Sequence, residues 1–161
     1  KTAGVFSPAL KGGAMDKVQF RGELAFLSNL FETEIAVAGM KFRNVEAAFQ
    51  SFKDEKRQKE FEKLDGVAAK KLGRKVNLRK DWEQKKDSLM YELLKIKVTN
   101  AELKQKLIET GDVVLVEINY WGDKYWGVFK GQGKNQLGNL LMKIREELKK
   151  LGFNLVAQEG V

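Results

Sequence analysis

The sequence predicts an α+β domain, a small mixed sheet in a predominantly helical surround. Three observations carry this. Short extended segments stand near the beginning of the chain and again after residue 112, apolar residues recur at helical spacing through the region between them, and no strand–helix alternation of the doubly wound kind appears. With 161 residues, 43% hydrophobic and 32% charged, the composition is that of a folding chain, and the length suits one ordinary domain. Residues 16–161 are expected to form that domain. Residues 1–15, with the chain's single proline and the pair Gly12-Gly13, read as a flexible leader or added sequence ahead of Met15.

Val18 to Arg21 is expected as the first strand, Ile35 to Val37 as the second and Met40 to Phe42 as the third, with Gly39 at the turn. Between the first two, Phe26-Leu27-Ser28-Asn29-Leu30-Phe31 is apolar but interrupted, which predicts a packed loop. Its Ser28 and Asn29 are either turn residues or a polar pair at a pocket edge. Asn44 is an N-cap candidate for a helix burying Val45, Ala48, Phe49 and Phe52. Glu46, Gln50 and Lys53 then fall together along one flank of that stripe. A second amphipathic segment covers about Lys56 to Leu64, and a short helix follows Asp65-Gly66 and ends near Gly73-Arg74.

Asp81 is expected to cap a longer helix with Trp82, Leu89, Leu93 and Ile96 on its apolar side, and Asn100 another through Leu103, Leu107 and Ile108. After Gly111 the period changes. Val113 to Asn119 reads as a central strand, and Trp121 to Phe129 as its hairpin partner turned at Gly122-Asp123. The last helix is expected from Gln136 to Leu151.

Thirty basic residues against twenty-two acidic give a net charge of +8, a field that favours anionic partners such as phosphorylated metabolites or nucleic acid. The excess concentrates in residues 53 to 106, where seventeen Lys or Arg meet ten Asp or Glu. Solvated lysine faces account for this equally well. The chain has no cysteine and no histidine, so disulfides, thiolate metal sites and the usual zinc and non-haem iron ligand sets are excluded. No metal and no cofactor are expected. No apolar run approaches the roughly 18 residues that span a bilayer, so no membrane partner is expected. A cytoplasmic setting fits.

Gly131-Gln132-Gly133 before Asn135 and a helix presents N–H groups to an anion, or is simply a structural turn; it matches neither the Walker sequence nor the dinucleotide fingerprint. Asp123-Lys124-Tyr125-Trp126-Gly127 puts a carboxylate three residues before an indole. Trp82 begins its helix near Lys85 and Lys86. For each tryptophan the choice is core packing or a stacking platform for a base.

Taken in order, these blocks resemble a known family, the NADAR or YbiA-like proteins. The blocks are Phe26-Leu27-Ser28-Asn29; Val45-Glu46-Ala47-Ala48-Phe49-Gln50 with Lys53; Leu72-Gly73-Arg74; and Trp82 with Lys86 and Met90. Then come Thr110-Gly111 and the Glu117 strand, Asp123 to Gly127, Gly133-x-Asn135-x-Leu137-Gly138, and the Leu141-Met142-x-Ile144-Arg145 helix, together covering residues 17 to about 150. The resemblance implies a YbiA-like fold and a metal-free N-glycosidase acting on ribosylated heterocycles. The family's essential carboxylate falls on Glu46, its second acidic position on Asp123 and its aromatic pocket positions on Trp82 and Trp126. Ala47 departs from the histidine that many members carry after the glutamate, which bears on the subfamily.

Breaking an N-glycosidic bond develops positive charge at the ribose C1′ while electrons collect on the leaving base. Glu46 is therefore expected to activate water or face that charge, and Asp123 to orient ribose hydroxyls or donate a proton; the division between them stays open. Ser28, Asn29, Gln50, Lys53, Arg74, Lys86, Gly133 and Asn135 complete the expected binding set, with Arg21 and Lys85 as further phosphate donors. The expected substrate is ADP-ribosylated guanine in nucleic acid, with ADP-ribose as the bound portion. The alternatives are a phosphorylated ribosylamino-pyrimidine of riboflavin synthesis, or a non-catalytic ADP-ribose or nucleic-acid binding module.

Overall fold

A computed structural model describes residues 17–159, with side chains described over 19–152. The expected leader lies outside the described residues. The chain packs as two units, one of residues 21–103 and one of residues 104–159 with 17–20. The fold is of the α+β class, and its sheet content is two separate two-stranded pairs. Strand β1, Lys17–Val18, belongs to a parallel pair in the second of these units, and the antiparallel pair lies in the first.

The unit of residues 21–103 opens with a 3-10 helix, Gly22–Leu27, which buries Phe26 and Leu27. Strands β2, Ile35–Val37, and β3, Met40–Phe42, form the expected hairpin with Ile35 opposite Phe42. Helix α1, Val45–Ser51, starts at Asn44, whose Oδ1 accepts from the Ala47 N–H at 2.7 Å. The same amide donates through Nδ2 to the Leu64 carbonyl at 3.2 Å. Asn44 is thus both cap and cross-tie. Every residue of α1 is buried, and it packs on the three helical segments that follow it in the chain.

The expected amphipathic segment after it is a 3-10 helix, Glu55–Phe61, capped by Asp54 and anchored by fully buried Phe61. Helix α2, Gly66–Gly73, is capped by Asp65 through the Ala68 N–H. Helix α3, Trp82–Lys97, has Asp81 at its N-cap position, but that side chain makes no cap hydrogen bond. Arg79 holds it instead, Nε to Oδ1 at 2.5 Å and Nη2 to Oδ2 at 3.0 Å, and a bidentate guanidinium is a stronger competitor than an end N–H. The buried side of α3 is Trp82, Met90, Leu93, Leu94 and Lys97, whereas the expected Leu89 and Ile96 sit at its edge. The stripe is rotated because Lys97 takes an interior position that an apolar count assigns to Ile96.

Asn100 Oδ1 accepts from Leu103 N–H at 3.1 Å at the start of helix α4, Ala101–Glu109. In the second unit, β1 runs parallel to β4, Val114–Leu115, with Val18 opposite Leu115. The expected first strand therefore ends at Val18, and the expected strand over 113–119 contracts to two residues. No hairpin forms with 121–129. Beyond β4 the ladder is replaced by a single parallel bridge, Ile118 opposite Val128, and by side-chain amides that satisfy the backbone. Helix α5, Gln136–Glu159, continues past the expected Leu151, since Gly152 weakens a helix by only about 1 kcal/mol relative to alanine and no proline follows it. Buried Arg145 on α5 donates Nη1 to Thr110 Oγ1 at 2.9 Å, which pins the helix beside the end of α4.

The fully buried Asn44 yields the first prediction. Asn44→Ala is expected to destabilise the protein by about 2–4 kcal/mol, because it removes a cap and leaves the Leu64 carbonyl without its donor. Asn44→Asp keeps the cap acceptor and is expected to lose less. Urea denaturation of the three proteins checks the order; an alanine variant as stable as the parent would remove Asn44 as the anchor of α1.

Candidate active site

Glu46 lies in the first turn of α1, where a carboxylate is favoured by the helix dipole, and it is more than nine-tenths buried. Its backbone N–H donates to the Asn29 carbonyl at 3.1 Å, so the Phe26–Phe31 segment is tied to the start of the helix. Asn29 is itself buried. Its Nδ2 points at the Met90 Sδ, 3.5 Å away, and its Oδ1 is buried with no hydrogen-bond partner among the described residues. Ser28 behaves as a turn residue, its Oγ accepting from the Leu30 N–H at 3.1 Å. Its carbonyl accepts from the Lys97 Nζ at 2.8 Å.

One turn beyond Glu46, Gln50 donates Nε2 to Glu46 Oε1 at 2.8 Å, the i, i+4 pair that the sequence spacing anticipates. Gln50 is clamped from the other side by α2. A Cβ added at Gly73 would overlap the Gln50 Oε1 and Cδ, so glycine is what lets the two helices close over this amide. Its Oε1 faces the glycine, with no hydrogen-bond donor among the described residues, and its Nε2 faces the carboxylate.

Lys53 follows at the next turn. Its ammonium lies 5.6 Å above the centroid of the Trp82 ring. Burial pushes the Lys53 ammonium below the ordinary lysine range; the Glu46 carboxylate opposes that shift, and the Arg74 guanidinium adds to it. These three charges therefore sense one another. Trp82 is buried and packs at 4.9 Å from Phe49, tilted by 54°, so its ring is a wall between the core and the lysine. Arg74 is exposed at the C-cap of α2, while Lys86 donates to Glu83 Oε2 at 2.7 Å along α3. The structure thus brings Asn29, Glu46, Gln50, Lys53, Arg74 and Trp82 into one neighbourhood of the unit of residues 21–103.

Arg21 and Lys85 also belong to the unit of residues 21–103, whereas Asp123, Trp126, Gly133 and Asn135 stand in the unit of residues 104–159. Asp123 Oδ1 accepts from the N–H groups of both Tyr125 and Trp126 at 2.9 Å, which folds the chain into a turn. This is the device that the Asp123–Trp126 spacing requires in place of a strand. Trp126 is half-buried, with Tyr125 edge-on at 4.9 Å. Gly133 has φ +149°, and a Cβ there would strike the Gly127 carbonyl, while a Cβ at Gly127 would strike the Glu117 carbonyl, so the loop closes only with glycine at both positions. Asn135, at φ +52°, accepts from the Glu117 N–H at 2.9 Å and donates to the Leu115 carbonyl at 2.8 Å. Its amide is committed to the strand.

Lys97 escaped the sequence reading, and Gly73 entered it only as a helix end and a motif residue. Lys97, buried to 3% exposure, anchors the Ser28 carbonyl and lies 5.8 Å from the Phe31 ring centroid. Its signal is a lysine in phase with Met90, Leu93 and Leu94. Gly73 carries no such signal, because its role depends on what faces it. Among the described residues no three acidic side chains gather into a group suited to a metal ion.

The clamp on Gln50 gives the second prediction. Gly73→Ala forces the amide off Glu46, and Gln50→Ala deletes it; each removes a hydrogen bond from a buried side chain and is expected to destabilise the protein by about 1–3 kcal/mol. The double variant is expected to lose less than the sum of the two single losses, since one interaction is shared. Urea denaturation of the four proteins reads this. Fully additive losses would show that Gly73 does not act through Gln50.

Comparison with known proteins identifies the family. Residues 18–149 match the model of the NADAR domain. The chain is 38% identical over 128 residues to the N-glycosidase YbiA of Escherichia coli strain K12, covering 75% of this chain and 79% of that one. It is 33% identical over 139 residues to the riboflavin biosynthesis protein VVA0006 of Vibrio vulnificus, covering 81% of this chain and 38% of that protein. The NMR structure of E. coli YbiA superposes with a TM-score of 0.76 at 32% identity, covering 94% of this chain and 96% of the other. The ordered motif blocks and the fold lead to the same place: the chain belongs to the NADAR family.

Proposed function

We propose that this protein is an N-glycosidase that hydrolyses the bond between C1 of a ribose and a nitrogen of a heterocyclic base. The observation that carries the reading is Glu46, a buried carboxylate held by Gln50 and set among Lys53, Arg74 and the Trp82 ring. Burying a carboxylate is costly, and a module that only binds anionic nucleotides gains nothing from placing one at its ligand. A glycosidase does gain. As the base departs, positive charge grows at C1′, and a carboxylate in a low-dielectric setting stabilises it far more than the same group would in water.

In this mechanism water adds to C1′ as the C1′–N bond breaks; the water's proton passes to a carboxylate and a proton is returned to the base nitrogen. Glu46 faces the sugar and takes the water's proton or steadies the charge. Lys53 and Arg74 meet the substrate's phosphates, and burial of Lys53 makes its remaining hydration easy to displace by an anion. The substrate proposed is guanine ADP-ribosylated in nucleic acid, because a net charge of +8 suits a polyanion better than a small metabolite. The similarity to a riboflavin biosynthesis protein supports a second reading, a phosphoribosylamino-pyrimidine as substrate, through the same bond and the same carboxylate. Release of free base from each substrate, measured side by side, separates the two.

Glu46→Gln is expected to stay folded and bind ADP-ribose, with single-turnover cleavage reduced by about 10² to 10⁴. Thermal melting, affinity and cleavage must be read on the same preparation; near-normal turnover would remove Glu46 from the chemistry. The reading also includes metal independence, as the chain offers no imidazole or thiolate ligand. Initial rates are expected to survive EDTA treatment followed by metal-free dialysis, and a loss restored stoichiometrically by Mg²⁺ or Mn²⁺ would overturn that part.

A further inference from the structure

Within the unit of residues 104–159, Tyr120 and Trp121 are neighbours in sequence and are 71% and 55% exposed. Large aromatic side chains displayed together in solvent mark a surface that meets something. The segment that carries them is tightly held at its base. Asn119 is buried to 2% exposure; its Oδ1 accepts from the Asp123 N–H at 3.0 Å and its Nδ2 donates to the Asp123 carbonyl at 2.7 Å. The two hydrogen bonds pinch residues 119 and 123 together and push Tyr120, Trp121 and Gly122 outward as a short projecting turn, with Gly122 at φ +87°. The aromatic pair is therefore presented on a braced loop, which lowers the entropy cost of meeting a partner.

The chain that follows the turn is basic. Over residues 119–135 the exposed lysines Lys124, Lys130 and Lys134 stand against a single carboxylate, Asp123, which is engaged with the Tyr125 and Trp126 N–H groups. Each lysine is anchored by a neighbour. Lys124 Nζ reaches Gln132 Oε1 at 3.3 Å, Lys130 lies 5.2 Å from the Phe129 ring centroid and Lys134 lies 5.3 Å from that of Tyr125. The Lys134 N–H also donates to the Lys124 carbonyl at 2.8 Å, so the two are held on adjoining strands of the loop.

We infer that the Tyr120–Trp121 turn with Lys124, Lys130 and Lys134 is a docking surface for single-stranded nucleic acid. The partner must supply flat apolar faces for the rings and regularly spaced anions for the ammonium groups. An unpaired strand supplies both, whereas a duplex hides its base faces and an acidic peptide lacks them. As the means of holding the strand that bears a modified base, the surface rests on the proposed function; as a binding surface it stands independently.

Fluorescence anisotropy with an unmodified single-stranded oligonucleotide of roughly 12 nucleotides tests it on the full chain. The wild type is expected to bind, with quenching of tryptophan emission, and to bind the matching duplex more weakly. Tyr120→Ala with Trp121→Ala is expected to lower affinity about 5- to 150-fold for each base unstacked, while leaving affinity for free ADP-ribose and the melting temperature unchanged. Lys124→Gln with Lys134→Gln is expected to reduce the slope of log affinity against log salt by about 0.7 for each phosphate no longer neutralised. Unaltered strand binding by the aromatic variant, equal binding of the duplex, or no strand binding by the wild type would overturn the inference. So would sedimentation showing that the wild type self-associates and the aromatic variant does not. If strand binding behaves as expected but no base is ever released from any substrate, the docking surface stands and the glycosidase reading falls.

Discussion

Helix α1 has no solvent face, and it carries Glu46. A carboxylate in that position must be compensated within the protein, and much of the unit of residues 21–103 is arranged around this need. Asn44 fixes the first turn, the Asn29 carbonyl takes the Glu46 N–H, Gln50 gives the carboxylate a neutral donor and Lys53 gives it a nearby cation. The cost is then passed outward. Lys53 loses hydration and its ammonium becomes easier to deprotonate, and α2 must end its packing face with a glycine so that the Gln50 amide has room. Neither the lysine shift nor the glycine makes sense alone; both follow from keeping one charge inside.

The second unit solves a different problem with similar means. Its strand β4 is only two residues long, and the backbone that follows keeps a single bridge, Ile118 opposite Val128, in place of a ladder. Side-chain amides take over. Asn135 satisfies the Leu115 carbonyl and the Glu117 N–H, while Asn119 satisfies both backbone groups of Asp123. A side-chain amide can satisfy a donor and an acceptor without running alongside them, so the chain is free to turn where a ladder would keep it straight. This is why residues 119–135 form a braced loop and can carry exposed aromatics and lysines.

Two buried cations act as structural ties in the same way. Lys97 places its ammonium on the Ser28 carbonyl, and Arg145 places its guanidinium on Thr110, each linking a long helix to a segment distant in sequence. Burial lowers the Arg145 pKa below the ordinary arginine range, with Glu146 and Asp112 opposing, yet the group remains a donor at any ordinary pH. The Thr110-Gly111 and Leu141–Arg145 blocks of the family pattern thereby acquire a common reason: they are the two ends of one contact.

Local rules were enough for much of this protein. The Asn44 and Asn100 caps, the β2–β3 hairpin, the α+β class and the alignment of Glu46, Gln50 and Lys53 on successive helical turns all depend on residues a few positions apart. The ordered motif blocks pointed to the family for the same reason, each being a local pattern. Tertiary structure decided what distance in sequence conceals. The apolar run over 113–119 has the composition of a strand, but a strand exists only where a partner pairs with it, and beyond Leu115 the Asn135 amide and the single bridge to Val128 take that role. Gly73 is only a helix-end glycine within a motif block until Gln50 is set against it, and Lys97 counts as a solvated lysine until its ammonium is seen on the Ser28 carbonyl. Trp121 reads as the first residue of a hairpin strand and Tyr120 as a link to it, yet the Asn119 brace turns both out to solvent. Neighbouring residues set local propensities; burial, pairing and exposure are properties of the whole chain's packing, and they are settled only when it closes.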